Sequence, residues 1–181
     1  MQKTVSEFDK KVFERIRDNV SHFLQLSAEK LDSSTIKLLD IAPQDHAGAK
    51  ESFLKSQVLT ADIDVKSGAD YIVDICMNND SKISAEEFDI VVCTEVLEHT
   101  LNPFSAVNEI HRILKKNGLL LMTTPFNFRI HGPLPDCWRF TEHGIRALLN
   151  KFEIIELNAL EDEERFLMPL QYTTIAKKVT T

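Results

Sequence analysis

The chain has 181 residues, with 43% hydrophobic and 27% charged side chains, the balance of an ordinary soluble globular domain with one sizeable core. Its formal net charge is −7, which argues against nucleic acid as a partner, because phosphate binding needs concentrated Lys and Arg and the longest basic run is Lys115-Lys116. Three scattered cysteines (Cys76, Cys93, Cys137) form no CxxC pair and no metal-ligand spacing, so no metal is expected. The first residues, MQKTVSEFDKK, lack the apolar core of a signal peptide, and no apolar run approaches the roughly 20 residues of a membrane span. The expectation is a cytoplasmic protein without a membrane partner. Its oligomeric state is not legible.

In chain order, residues 5 to 30 place Val5, Phe8, Val12, Phe13, Ile16, Val20, Phe23 and Leu24 at spacings of three and four. That spacing predicts one or two amphipathic helices, and residues 1–34 are read as a helical segment packed on the domain, with a lid as the sharper alternative. Residues 35–181 form the domain itself. Ile36 to Ile41 reads as a strand, Gly48 to Lys55 as a short helix, and Val58 to Ile63 and Tyr71 to Ile75 as further strands. Phe88 to Cys93 (FDIVVC) is continuous, apolar and β-branched, the mark of a strand buried on both faces. A helix follows, capped by Asn102, with Pro103 in its first turn, Lys115 and Lys116 at its end and Gly118 closing it. Leu119 to Thr124 is a strand, Thr141 starts a second helix, and Phe152 to Leu157 and Tyr172 to Ala176 are the last strands.

Strands alternating with helices predict a parallel α/β sheet. Between Asp64 and Asp70 there is no room for a crossover helix, so the connection after the second strand is shortened. In such sheets ligands bind outside the carboxyl ends of the strands, and acids stand at four successive ends: Asp40, Asp62, Asp74 and Glu95. Asp62 follows the first turn by about twenty residues, the separation at which a carboxylate meets ribose hydroxyls. The first turn, Ala42-Pro43-Gln44-Asp45-His46, has no glycine before Gly48.

The segment FDIVVCTEVLEHTLNP (88 to 103) resembles the fourth-strand segment of class I S-adenosylmethionine-dependent methyltransferases. EIHRILKKNGLLLMTTP (109 to 125) is similar to the helix and strand that follow it there. LLDIAPQDHAG falls at that family's first motif and TADID at its second, and HGPLPDCWRFT (131 to 141) is similar to a segment of its small type 11-like members. The resemblance implies a Rossmann-like class I methyltransferase fold, a seven-stranded, mostly parallel sheet with the last strand antiparallel. It implies S-adenosyl-L-methionine as cofactor. Asp40 would lie beneath the first loop, holding it and the methionine ammonium. Ala42, Pro43 and Gln44 would form the loop that meets the methionine carboxylate. Asp62 with Ile63 would hold the ribose, Asp74 and Ile75 the adenine, and Thr94 and Glu95 would line the methionyl end. The family's loop usually carries glycines where this chain has Ala42, Gln44 and His46. S-adenosylmethionine has no phosphate, so its carboxylate needs backbone N–H groups and tolerates the change.

Positioning supplies much of the rate of methyl transfer, and a base is needed only for a hydroxyl or a protonated amine. The expected catalytic residues are His131 as base, Asp136 as its orienter and His99. Phe126, Arg129, Trp138 and Arg139, in the aromatic stretch after the fifth strand, are expected to meet the acceptor, although Arg139 can equally pair with Asp136 to fix the loop. The activity expected is methyl transfer to a small molecule, most plausibly to oxygen on a sugar or metabolite. A non-catalytic binding protein that has lost cofactor use is the alternative, and the absence of G-x-G-x-x-G argues against a nicotinamide enzyme.

Overall fold

The computed structural model describes residues 5–43, 48–162 and 165–179. Gln44 and His46 therefore lie outside the described residues. One long helix, α1 (Glu7–Leu31), precedes β1 (Lys37–Ile41), a 3-10 turn (Gly48–Glu51), β2 (Gln57–Asp62), β3 (Tyr71–Ile72) and β4 (Phe88–Thr94). After a second 3-10 turn (Leu97–His99) come α2 (Pro103–Ile113), β5 (Leu114–Pro125), α3 (Glu142–Leu148), β6 (Phe152–Leu160) and β7 (Gln171–Lys178). The seven strands form one sheet in the order β3-β2-β1-β4-β5-β7-β6. The β1–β2, β1–β4, β2–β3 and β4–β5 pairs are parallel, and β7 is antiparallel to both β5 and β6.

Each strand buries both faces because helices flank the sheet. Leu39, Val91, Cys93, Leu120 and Met122 point to the side packed by α2 and α3. Their alternates Leu38, Ile90, Val92 and Leu121 pack against Leu24 and Ala28 of α1, against Ala49 in the first 3-10 turn and against Phe53 just after it. The N-terminal half of α1 continues past the sheet, where Val12 and Ile16 cluster with Leu170. Among the described residues no helix is long and apolar enough to cross a membrane.

The caps lie where the side chains put them. Ser6 accepts from the Asp9 N–H at 3.0 Å, Asn102 from Ser105 at 3.0 Å and Thr141 from Gly144 at 3.1 Å, satisfying amide groups that a helix start leaves bare.

Three expectations need correction. The helix expected from Gly48 to Lys55 is a 3-10 turn of four residues. The strand expected from Tyr71 to Ile75 pairs only at Tyr71 and Ile72, because Asp74 turns the chain by accepting from the Cys76 N–H at 2.8 Å. α2 ends at Ile113, before Lys115 and Lys116, and Asn117 with φ 60° takes the left-handed position expected of Gly118. Gly118 is needed for another reason: a Cβ there would sit 2.9 Å from the Lys115 carbonyl oxygen. His111, on α2, packs edge-on against Phe152, with ring centroids 5.2 Å apart. The shortened connection after β2 is real: residues 63–70 cross to β3 without a helix. Asp70 ties that crossing to β2 by accepting from both the N–H and the hydroxyl of Thr60, at 2.8 and 2.9 Å.

Candidate functional site

Two adjoining cavities open at the carboxyl ends of the parallel strands. The larger, about 730 Å³, is walled by Ala42, Asp62, Ile63, Asp74, Ile75 and Pro133, among others. The smaller, about 260 Å³, is walled by Phe13, Arg17, Pro43, Thr94, Phe128 and His131, among others. Ala42, Glu95 and His99 face both. The larger volume lies within the ~300–1,000 Å³ typical of small-molecule sites.

The first loop shows how a glycine-poor turn holds together. Asp40 is 1% exposed, and its carboxylate accepts the Ala49 N–H at 2.7 Å. Burial pushes this acid up to about 7. Gly48 passes directly over it with φ +55°, and a Cβ at Gly48 would lie 2.3 Å from Asp40 Oδ2. Only glycine fits there, by conformation and by space. Asp40 does hold the loop, but it lines neither cavity, so the structure gives no support to a contact with a ligand ammonium. Ala42 has φ 51°, in the left-handed region, so it carries backbone strain of about 1–2 kcal/mol as well as an extra methyl. Its N–H donates to the Ala61 carbonyl at 2.7 Å, which fixes the start of the loop against β2.

At the end of β2, Asp62 accepts the Asp64 N–H on Oδ1 at 2.8 Å and borders the larger cavity. Glu95, after β4, also has positive φ, 54°, and its Oε1 accepts from Thr123 at 2.9 Å and from Gln171 at 2.8 Å. Gln171 in turn accepts from Asn19 of α1 at 2.6 Å, so the covering helix is wired to the acid. Burial lifts Glu95 to about 7, against those hydrogen bonds and the charge of Arg139.

The stretch after β5 folds back across both cavities. Cys137 and Trp138 both donate their N–H groups to the Glu98 carbonyl, at 2.7 and 3.2 Å, and Trp138 Nε1 donates to the Thr100 carbonyl at 2.8 Å. His99 Nδ1 meets the Pro135 carbonyl at 2.9 Å. His131 Nδ1 lies 3.1 Å from Asp136 Oδ2, and the His131 N–H donates to the same carboxylate at 2.9 Å. Arg139 holds Asp136 through both of its terminal nitrogens, with Nη2 at 2.8 Å from Oδ2. That guanidinium keeps Asp136 well below the usual carboxylate range, and burial pushes His131 down. A neutral His131 imidazole beside an ionised Asp136 follows.

Of the expected acceptor residues, Phe126, Arg129, Trp138 and Arg139 line neither cavity. Phe126 packs on Tyr172, Trp138 stacks on Phe140, and Arg129 lies 3.6 Å from Asp9. Arg139 spends its donors on Asp136 and on the carbonyls of Phe128, Arg129 and Trp138. The corresponding wall comes from α1 instead. Phe13 stacks with Phe128 at 6.1 Å, and the Arg17 guanidinium sits 5.1 Å from the Phe13 ring. Helical spacing alone marks Phe13 and Arg17 only as positions on a helix, so sequence reasoning passed over them. It also passed over the burial of Glu98, which is fully enclosed, with neither carboxylate oxygen hydrogen-bonded among the described residues.

Comparison with known proteins agrees with this geometry. Residues 8–159 match the family described as a methyltransferase domain. A ubiquinone biosynthesis O-methyltransferase from Glaesserella parasuis is 49% identical over 39 residues, which are 22% of this chain and only 16% of that protein's length. Among solved structures, a putative methyltransferase complexed with the Trm112 activator from Haloferax volcanii has a TM-score of 0.69 at 12% identity, covering 98% of this chain and all of that one (100%). A putative methyltransferase from Bacillus halodurans has a TM-score of 0.65 at 17% identity, covering 90% and 100%.

Proposed function

Because the chain belongs to the methyltransferase-domain family, with the class I S-adenosylmethionine-dependent fold, we propose that it transfers a methyl group from S-adenosylmethionine to a hydroxyl oxygen of a small molecule, a sugar or metabolite. The observation that carries this reading is the pair of adjoining cavities, which share Ala42, Glu95 and His99 as walls. One is lined by acids at or just past two successive strands, Asp62 and Asp74, and the other by His131, whose Nδ1 lies 3.1 Å from Asp136 set behind it.

The residues fit the cofactor. Asp62, at the rim of the larger cavity, would hold the ribose diol and Asp74 with Ile75 the adenine, while the methionyl part would lie against Ala42, Pro43 and Gly48. When bound, the cofactor supplies an activated methyl on a sulfonium. Arg139 fixes Asp136, and Asp136 fixes the His131 ring through Nδ1, leaving Nε2 to take the acceptor's proton as attack begins. His99 faces both cavities and holds the loop through Pro135, so it sets the distance between the two halves of the site. Phe13, Phe128 and α1 exclude water from the acceptor side.

The test is a screen of sugars and hydroxylated metabolites with methyl-labelled cofactor, repeated with His131→Gln and Asp136→Asn. Loss of turnover by about 10²–10⁴-fold in His131→Gln, with cofactor binding unchanged, is the expected result. Full turnover in both variants removes them from the reaction. Failure to bind the cofactor at all favours a methyltransferase-like binding protein.

A further inference from the structure

Glu98 is the most unusual side chain in the molecule. It is 0% exposed, and neither of its carboxylate oxygens has a hydrogen-bond partner among the described residues. A buried carboxylate without a donor is costly and calls for a counter-group. What faces it is two imidazoles. His99 Nε2 lies 3.7 Å and His131 Nε2 3.8 Å from Glu98 Oε1, and the two rings meet edge-on with centroids 4.8 Å apart.

The far nitrogen of each ring is already committed. His99 Nδ1 meets the Pro135 carbonyl oxygen at 2.9 Å. His131 Nδ1 meets only acceptors, Asp136 Oδ2 at 3.1 Å and the Arg129 carbonyl at 3.3 Å. Oxygens of this kind require N–H at Nδ1, so the tautomer of each ring that satisfies them carries its bare lone pair on Nε2. Both Nε2 atoms thus face Glu98 Oε1, and Glu98, His99 and His131 each offer a ligand atom within 4.8 Å of the other two. Each imidazole is oriented by a carbonyl or carboxylate behind it, the arrangement that fixes metal-bound histidines.

We propose that Glu98, His99 and His131 bind a divalent first-row transition-metal ion. Two imidazole nitrogens and one carboxylate suit zinc-class ions better than Mg²⁺ or Ca²⁺, which take oxygen donors. Glu95 stands outside the set, because its Oε1 is held by Thr123 and Gln171. The site sits between the cavities, since His99 faces both and His131 faces the smaller one. Three protein donors leave coordination positions open, and the class of ligand they would take is an acceptor with a hydroxyl or carboxylate oxygen. A ring nitrogen that holds a cation cannot also take a proton. Occupancy therefore removes His131 from the base role and leaves the cation to acidify a bound hydroxyl, whose proton passes to water.

The site does not rest on the methyl-transfer reading, and its test uses neither cofactor nor acceptor. The full chain, stripped with chelator, is dialysed against Zn²⁺, Mn²⁺ or Co²⁺, and bound metal, the visible Co²⁺ spectrum and the thermal midpoint are measured. The expected result is one equivalent bound, a Co²⁺ spectrum typical of nitrogen–oxygen ligands, and a midpoint raised by Zn²⁺. Glu98→Gln and His131→Gln should each weaken binding by more than the roughly 10–100-fold that loss of an outer partner costs. Glu98→Gln guards against misfolding as an explanation, because removing a buried charge should leave the metal-free chain at least as stable. Absence of binding at millimolar metal by the folded parent, or binding that survives both substitutions, would overturn the proposal.

Discussion

At the residue scale, buried acids set the character of the site. Glu98 is raised well above the usual carboxylate range by burial first and by the neighbouring Glu95 charge second. Its folded-state pKa thus exceeds its unfolded value, so the native state retains a proton that the unfolded chain releases, and stability falls as pH rises above the unfolded value. Glu98→Gln removes that cost. In metal-free protein its denaturation midpoint should exceed the parent's by an amount that grows as pH rises above the ordinary carboxylate value of about 4. An equal midpoint above that value would mean that Glu98 is solvated or already paired. Gly48→Ala tests the first loop: a Cβ 2.3 Å from Asp40 Oδ2, on a residue with φ +55°, should cost at least ~2 kcal/mol in urea unfolding and weaken cofactor binding. The acids at the strand ends were legible because the alternation of strand and turn fixes where a strand stops. The enclosure of Glu98 was not, because it depends on Cys137 and Trp138 reaching back to its carbonyl from a loop that follows another strand.

At the element scale, the β4–α2–β5 unit was readable almost residue by residue. FDIVVC has no polar interruption, Asn102 and Pro103 mark a helix start, and Leu119 to Thr124 resumes the apolar run. The stretch from 126 to 141 was read as an acceptor wall because it is aromatic. Its aromatics instead pin the loop to the body of the protein, leaving Phe128 and His131 to face the smaller cavity. α1 supplies the remaining wall, and nothing local in a helical repeat tells which of its residues meets a cavity more than a hundred positions away. Ile16, 2% exposed, packs with Val12 and Leu170 and seats that end of the helix. Ile16→Ala should cost about 2–5 kcal/mol if the helix unfolds with the domain. A much smaller loss, with faster amide exchange confined to α1, would show that the helix detaches on its own. Thr141→Ala, which removes the cap of α3, should cost about 1 kcal/mol by the same assay.

For the whole molecule, the seven strands and their order make a crevice at one end of the sheet, and one long helix and one pinned loop close over it. Within that frame Gly48 passes close over Asp40 with φ +55°, and Ala42 accepts a left-handed backbone at a modest energetic cost. We propose that this altered, glycine-poor first turn still serves a cofactor site. Calorimetric titration with S-adenosylmethionine and S-adenosylhomocysteine, repeated with Asp62→Ala, tests it most directly. The expected result is micromolar binding of both ligands by the parent, lost in a folded Asp62→Ala variant. Absence of heat with either ligand, or binding that Asp62→Ala leaves unchanged, would contradict it.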